Sequence, residues 1–208
     1  MNYPIITYSL TSEQICPTQD EILHYLGYTR PQVTEEDREL IDRFRPMVQP
    51  VLAGRGCYSR YPIECVGDGR IRMPYGEIFS KDLTANLHDC SEIYLMAVTI
   101  GAPFDRLLQR TRLSSMAEVA VFQAIGAASV EYVIDSLNAK LRQEAEAEGY
   151  FVRPRYSPGF GDYTLEHQKR IFELLQPGRY AGITLRDTLI MTPEKSVTAL
   201  MGIGKNNQ

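Results

Sequence analysis

The sequence contains no tryptophan and only three histidines, and its four cysteines are scattered along the chain. It has no Cys-x-x-Cys pair and no His-x-x-x-His or His-Glu-x-x-His arrangement, so the spacings that build zinc sites are missing. The sequence therefore predicts no metal site. In a reducing compartment, isolated cysteines are expected to be buried as small apolar side chains, and this applies to Cys16, Cys57, Cys65 and Cys90.

An excess of positive charge is also missing, since 22 Lys and Arg residues are set against 26 Asp and Glu residues. The formal net charge of −4 argues against broad binding to nucleic acid or to an anionic membrane, because both need a basic face. The longest nearly apolar run, residues 93–100, is far shorter than the roughly 20 residues of a membrane-spanning helix. No basic stretch followed by an apolar one opens the chain, so we expect no signal peptide and a cytoplasmic protein.

What the sequence does contain is an ordinary globular composition over 208 residues, with 44% hydrophobic and 23% charged residues. This length suits one domain with a sizeable core, and neither low-complexity linkers nor internal repeats interrupt it. We therefore predict a single domain spanning residues 1–208. Residues 1–114 form its amino-terminal helical and strand part, and residues 115–208 form the part that carries the motifs described below.

The hydrophobic pattern predicts helices and strands without regular alternation. Capping residues predict helices over residues 20–28 and from Thr34 onward, the second of them bent or segmented by Pro46 and Pro50. Strand-like residues follow over 57–66 and 70–73, separated by a Gly-Asp-Gly turn.

The second half of the pattern is dominated by one buried strand and one long helix. Residues 92–100 have no polar face, which predicts a central strand. Ser115 and Glu118 form a capping box for a helix over residues 116–147, nearly 50 Å long at about 1.5 Å per residue. Two alternating strands are predicted at the end, over residues 183–191 and 197–203. The fold class expected is α+β, with a mostly antiparallel twisted sheet and a long buried central helix.

The central helix carries two carboxylates, Glu131 and Asp135, one turn apart on the same face. Because a buried carboxylate needs a partner, one interpretation is a structural pair with an arginine such as Arg153 or Arg155. A second interpretation is a negatively charged well for a cationic ligand. A third is an acid/base pair of an unrelated enzyme.

Residues 153–162 read Arg-Pro-Arg-Tyr-Ser-Pro-Gly-Phe-Gly-Asp. Two prolines and two glycines restrict the backbone of this segment and hold its amides and carbonyls in a set pattern. An arginine at its head is suited to binding a carboxylate through two parallel hydrogen bonds. This segment is therefore either a turn or one wall of a binding site.

Residues 155–160 resemble the Arg-x-x-x-Gly-Tyr loop of the activation domain of cobalamin-dependent methionine synthase, with Phe160 in place of the tyrosine. In that family a helix follows the loop, and a strand pair with the pattern Met-x-Pro-x-x-Ser-Val comes next. Residues 168–175 supply the helix pattern and residues 191–197 match the strand motif in full. The specific resemblance covers roughly residues 117–203.

The resemblance implies a binding site for S-adenosylmethionine. Arg155 would pair with the ligand carboxylate, Glu131 would favour its positive centres, and the loop backbone would hold the adenosyl part. The implied cofactor-binding residues are Glu131, Arg155, Ser157, Pro158, Gly159 and Phe160. No catalytic residue is implied, because in this family reduced cobalt is itself a strong nucleophile.

The function that the resemblance implies is reductive reactivation of a cobalamin-dependent methionine synthase or related corrinoid protein, with S-adenosylmethionine as methyl donor to the cobalt. The implied partners are a corrinoid-binding methionine synthase module, which would carry the cobalamin, and a flavodoxin- or ferredoxin-like electron donor. The alternative is a non-catalytic binding module that docks on a corrinoid protein or senses a small metabolite.

Overall fold

A computed structural model describes residues 3–27, 33–112 and 116–205 of the chain. The α-helices are α1 Gln19–Tyr25, α2 Glu35–Val48, α3 Lys81–Asn86, α4 Ala102–Thr111, α5 Met116–Ala147, α6 His167–Leu175 and α7 Pro177–Tyr180. The strands are β1 Ile6–Leu10, β2 Gly54–Pro62, β3 Glu64–Gly67, β4 Arg70–Met73, β5 Gly76–Phe79, β6 Glu92–Thr99, β7 Tyr150–Val152, β8 Thr184–Leu185, β9 Met191–Thr192 and β10 Ser196–Lys205.

The centre of the fold is a five-stranded sheet in the order β1-β2-β6-β10-β7, in which every neighbouring pair is antiparallel. Strand β6 occupies the middle, as its lack of a polar face predicts. Strand β10 pairs with β6 along one edge over Ser196–Ile203, and with β7 along the other edge only over Ile203–Lys205. The predicted α+β class with an antiparallel sheet and a long central helix is therefore confirmed.

Helix α5 lies across one face of this sheet, with α1, α2 and α4 packed against it. Val133, Ile134 and Leu137 of α5 are fully buried, because side chains one turn apart share the face that meets the sheet. Within the described residues, the segment Glu118–Ala147 is long and apolar enough to cross a membrane, but 61% of its most apolar window is buried in the fold. Such burial is typical of a core helix.

The other face of the sheet is covered by α6, α7 and a smaller sheet of β3, β4 and β5. Side chains of strand β10 point alternately to the two faces of the sheet, so they pack against both layers. Ala199, Met201 and Ile203 pack on the α5 side, and Leu200 packs on the α6 side. The four residues are fully or almost fully buried, so β10 is a two-sided core strand.

Some local predictions are wrong. Residues 183–191 do not form one strand, because Leu189 adopts a positive φ of 64° and turns the chain into the short β8–β9 hairpin. Cys16 is exposed in the loop before α1, where its thiol donates to the Glu13 carbonyl, and Cys65 is exposed on the edge strand β3. Cys57 and Cys90 are buried as expected, and burial raises their pKa values to about 12 and about 11.

The observed helices α1 and α2 begin at the capping residues that the sequence predicts. Thr18 and Thr34 are the caps of α1 and α2, each closed by a reciprocal capping box. Pro46 lies inside α2, and Pro50 lies in the 3₁₀ turn Gln49–Val51 that follows it, so the segmentation occurs at the second proline. The predicted cap Ser115 and the predicted end of the first helix at residue 28 lie outside the described residues.

Candidate functional site

A cleft of about 530 Å³ opens at the edge of β10 where no neighbouring strand covers it. It lies between α5 on one side, the loop after β7 on another, and the start of α6 and the β9–β10 connection on the remaining sides. Its lining residues are Glu131, Arg155, Tyr156, Ser157, Pro158, Phe160, Gln168, Met191, Ser196, Val197 and Thr198.

The loop is attached to the sheet edge by its own backbone. Tyr156 donates its N–H to the Leu200 carbonyl and accepts from the Leu200 N–H, both at 2.8 Å, so it extends the β7 edge by one isolated bridge. Thr198 lies two residues before Leu200, and its backbone N–H and C=O therefore point toward the same edge and into the cleft. Farther along, the Gly159 N–H donates to the Tyr163 carbonyl at 2.8 Å and closes the turn.

The far end of the loop is held by the amino terminus of α3. Asp162 accepts hydrogen bonds from the Ser80 hydroxyl and from the Lys81 backbone N–H at 2.7 Å, while its own N–H donates to the Asp82 carboxylate at 3.2 Å. We call these hydrogen bonds between Asp162 and the start of α3 the clamp. A side chain at Gly161 would collide with it, since a Cβ there would lie 2.1 Å from Asp82 Oδ2. The hydrogen bond from Ser80 lowers the pKa of Asp162, and the backbone amides of α3 act in the same direction.

Asp162→Asn is expected to lower the melting temperature at neutral pH and to leave it unchanged in strong acid. Because the folded-state pKa lies below the unfolded value of about 4, the carboxylate stabilises the fold above that value. This stabilisation is lost as the pH falls through the lower folded pKa. Thermal unfolding of both proteins from pH 7 to pH 2 measures the effect. Asp187→Asn, in the exposed β8–β9 turn, is the matched control, and an equal pH dependence in both variants would contradict the role of the clamp.

Arg155 binds both acidic residues of the central helix. Its Nη2 donates to Glu131 and its Nη1 donates to Asp135, so one guanidinium spans two carboxylates one helical turn apart. Arg153 points elsewhere, with its guanidinium over the Phe151 ring and in contact with His88. The interpretation of Glu131 and Asp135 as an ion-paired set is therefore confirmed, with Arg155 as the partner. An acid/base pair is not favoured, because both carboxylates are held in ion pairs by the same guanidinium.

Five of the six residues singled out from the sequence line the same cleft, namely Glu131, Arg155, Ser157, Pro158 and Phe160. The sixth, Gly159, does not line it and serves the turn, with a positive φ of 96° that a glycine adopts without strain. Phe160 is 65% exposed although it is aromatic, and its ring lies at the mouth of the cleft, in edge contact with Tyr156.

The opposite wall of the cleft was not predicted from the sequence. Gln168 and Thr198 are almost fully buried, and the Gln168 Nε2 donates to Thr198 Oγ1 at 3.4 Å. Gln168 looks like an ordinary polar residue of an amphipathic helix, and only the packing of α6 on β10 buries it. The one available signal was its position directly after the motif loop.

A stack of aromatic rings supports the loop from behind. Tyr163 is fully buried, its ring lies parallel to the His167 ring at 4.5 Å, and its hydroxyl is 2.8 Å from the Tyr75 hydroxyl. Burial raises the pKa of Tyr75 to about 12 and lowers the pKa of His167. These groups are therefore neutral at physiological pH, and they fix the turn rather than supply charge to the cleft.

A second cavity of about 910 Å³ lies on the other side of the Glu131 side chain, between α1, α2 and α5. Asp135 lines this cavity, and Glu131 lines both cavities. The ion-paired set therefore forms part of the partition between the two spaces. Over residues 3–27, 33–112 and 116–205, no group of three or more His, Cys, Asp or Glu side chains is arranged to hold a metal ion.

Comparison with known proteins shows the fold. No protein-family model matches the chain, and no curated protein matches its sequence. Among solved structures, the crystal structure of the MetH reactivation domain bound to AdoHcy is similar, with a TM-score of 0.70. The match covers 99% of this chain and 80% of that one at 16% sequence identity. The chain therefore shares the architecture of that domain.

Proposed function

We propose that the protein binds S-adenosylmethionine in the cleft beside Arg155 and serves the reductive reactivation of a cobalamin-dependent methionine synthase or related corrinoid protein in trans. The observation that carries this proposal is the joining of Arg155 and Glu131 at one cleft, in a fold shared with the MetH reactivation domain. The solved structure of that domain holds AdoHcy, which is the product left when S-adenosylmethionine gives up its methyl group.

The cleft fits such a ligand in size and in polar groups. Its volume of about 530 Å³ falls in the range of roughly 300–1,000 Å³ that small-molecule sites occupy. Its walls combine a guanidinium, a carboxylate, backbone groups along the edge of β10 and the aromatic ring of Phe160. One buried polar atom of the wall, Gln168 Oε1, has no hydrogen-bond partner within the described structure, so it can accept a hydrogen bond from a ligand.

The charges of the site suit a ligand that carries both signs. Arg155 can pair with an α-carboxylate, and Glu131, which lines the same cleft, can attract the ammonium and sulfonium of the same ligand. The sulfonium, ammonium and carboxylate of S-adenosylmethionine give it a net positive charge, which offsets the net negative charge of Arg155, Glu131 and Asp135. The ion-paired set thus offers groups of both signs to the ligand.

When bound, S-adenosylmethionine would supply a methyl group activated by its sulfonium. The residues of this chain then need to bind and orient, because the reduced corrinoid of the partner is the nucleophile and no general base is required. Holding the ligand in a fixed position at an open cleft provides the proximity and orientation on which such a transfer depends. The exposed Phe160 at the mouth leaves that side accessible to a partner protein. A flavodoxin- or ferredoxin-like protein would supply the electron to the corrinoid.

Calorimetric titration with S-adenosylmethionine is expected to show one site per chain. Absence of heat and of a thermal shift at millimolar ligand would contradict the proposal.

A second experiment separates turnover from binding alone: methyl-labelled S-adenosylmethionine is mixed with a reduced corrinoid protein, with and without this protein. Label on the corrinoid only when the protein is present supports reactivation, whereas binding without transfer favours the alternative of a non-catalytic module that docks on a corrinoid protein or senses the metabolite.

A further inference from the structure

Gln168 lines the cleft, and one atom of its side-chain amide has no hydrogen-bond partner within the described residues. The side chain belongs to the second residue of α6 and is only 5% exposed. Its Nε2 makes one long hydrogen bond of 3.4 Å to Thr198 Oγ1, and its Oε1 is buried with no partner among the described residues. Neither the ion-paired set nor the loop backbone uses this amide.

A buried amide oxygen without a hydrogen-bond partner is unfavourable. The Thr198 hydroxyl can donate or accept, so after a 180° rotation it would donate to Oε1 in place of accepting from Nε2. In either orientation Thr198 pairs with only one end of the Gln168 amide. The terminal torsion of a glutamine is soft and the bond to Thr198 is long, so the amide of this cleft-lining residue can rotate toward a ligand at low cost.

The amide offers an acceptor and a donor side by side. Adenine presents the complementary pair, an exocyclic amine next to a ring nitrogen, and glutamine binds this edge through two hydrogen bonds. We infer that Gln168 recognises the adenine base of the ligand, with Oε1 accepting from the exocyclic amine and Nε2 donating to the adjacent ring nitrogen. This inference rests on the proposed function and names the residue that selects the base within that site.

The consequence is selectivity for a purine that carries the amine. A ligand in which hydrogen replaces the exocyclic amine leaves Oε1 buried and unpaired, and a site built to bind a donor rejects the analogue that lacks it. The loss is confined to one hydrogen bond to a neutral group. We expect the analogue to bind roughly five- to tenfold more weakly than the adenine compound.

A double-mutant cycle between ligand and protein tests the inference. Dissociation constants are measured for S-adenosylhomocysteine and for its analogue without the exocyclic amine, each with the wild-type protein and with Gln168→Met. Methionine matches the length of glutamine and keeps the helix propensity, but it cannot accept from the amine. We expect the wild-type preference to fall to a ratio near one in Gln168→Met, because only the adenine compound loses the acceptor for its amine. The lost donor to the ring nitrogen weakens the binding of both compounds equally and cancels in the ratio.

Gln143→Met makes the same substitution at an exposed position of α5 and is expected to keep the wild-type ratio. A Gln168→Met protein that retains the wild-type ratio overturns the inference, and so does a wild-type protein that binds both compounds equally. This last result needs no variant and leaves the proposed function standing. If the wild-type protein binds neither compound, the proposed function fails and the inference fails with it.

Discussion

Arg155→Ala is expected to weaken the binding of S-adenosylmethionine roughly 30- to 100-fold while leaving the chain folded. Removing one partner of a hydrogen-bonded charge pair at a ligand interface costs about 2–5 kcal/mol, and the 27% exposure of the Arg155 side chain places the effect at the lower end. The substitution also leaves Glu131 and Asp135 without their common cation, so the ligand carboxylate meets two uncompensated negative charges. Calorimetric titration of the purified variant measures the loss.

The fold itself should tolerate this change, because ion pairs that remain partly exposed contribute only about 0–1 kcal/mol to stability. Arg153→Ala is the matched control, since it removes a guanidinium two residues away that contacts Phe151 and His88 and does not line the cleft. We expect this control to bind within about twofold of the wild-type protein. Undiminished affinity in Arg155→Ala, or an equal loss of affinity in both variants, would show that Arg155 does not bind the ligand.

Gly126→Ala is expected to lower the free energy of unfolding by about 2 kcal/mol, although alanine is the better helix former. Gly126 lies in the middle of α5 against α4, and a Cβ there would lie 2.3 Å from the Phe104 ring. Phe104 is fully buried in the main core, so its ring can move only by displacing other core side chains. For a chain of this length, the change corresponds to a decrease in melting temperature of roughly 4–8 °C.

Room for the new methyl group can be restored from the other side of the contact. Phe104→Leu alone should destabilise the protein by leaving a cavity, but the double variant with Gly126→Ala should be more stable than the sum of the two single effects predicts. Thermal and denaturant unfolding of the four proteins provides the cycle. Strict additivity, or a stabilised Gly126→Ala protein, would show that α4 and α5 do not approach each other as closely as the structure describes.

The sequence predicted the parts of the fold whose pattern is local. Helix α5 agrees with the expected residues 116–147, and β6 agrees with the expected residues 92–100 within one residue. Both segments are long enough and apolar enough that few other assignments of secondary structure fit them. The β8–β9 hairpin was missed because residues 183, 185, 189 and 191 alternate as a single strand would. The turn depends on the positive φ of Leu189, for which the residue type gives no signal.

The candidate site was predictable on one side and hidden on the other. The one-turn spacing of Glu131 and Asp135 marked one wall, but Arg153 and Arg155 are two residues apart in an extended segment, so only the tertiary fold decides which of them reaches the acids. The wall of Gln168 and Thr198 joins two elements 30 residues apart. No spacing rule connects such residues, because their contact depends on how α6 packs on the sheet.

The central claim is that one zwitterionic nucleoside ligand occupies the cleft between Arg155 and strand β10. A crystal structure of the protein grown with S-adenosylhomocysteine tests it most directly. The account predicts ligand density in the 530 Å³ cleft, with its carboxylate on Arg155 and its base beside Gln168. Ligand density in the larger cavity between α1, α2 and α5, or a cleft without ligand at saturating concentration, would contradict it.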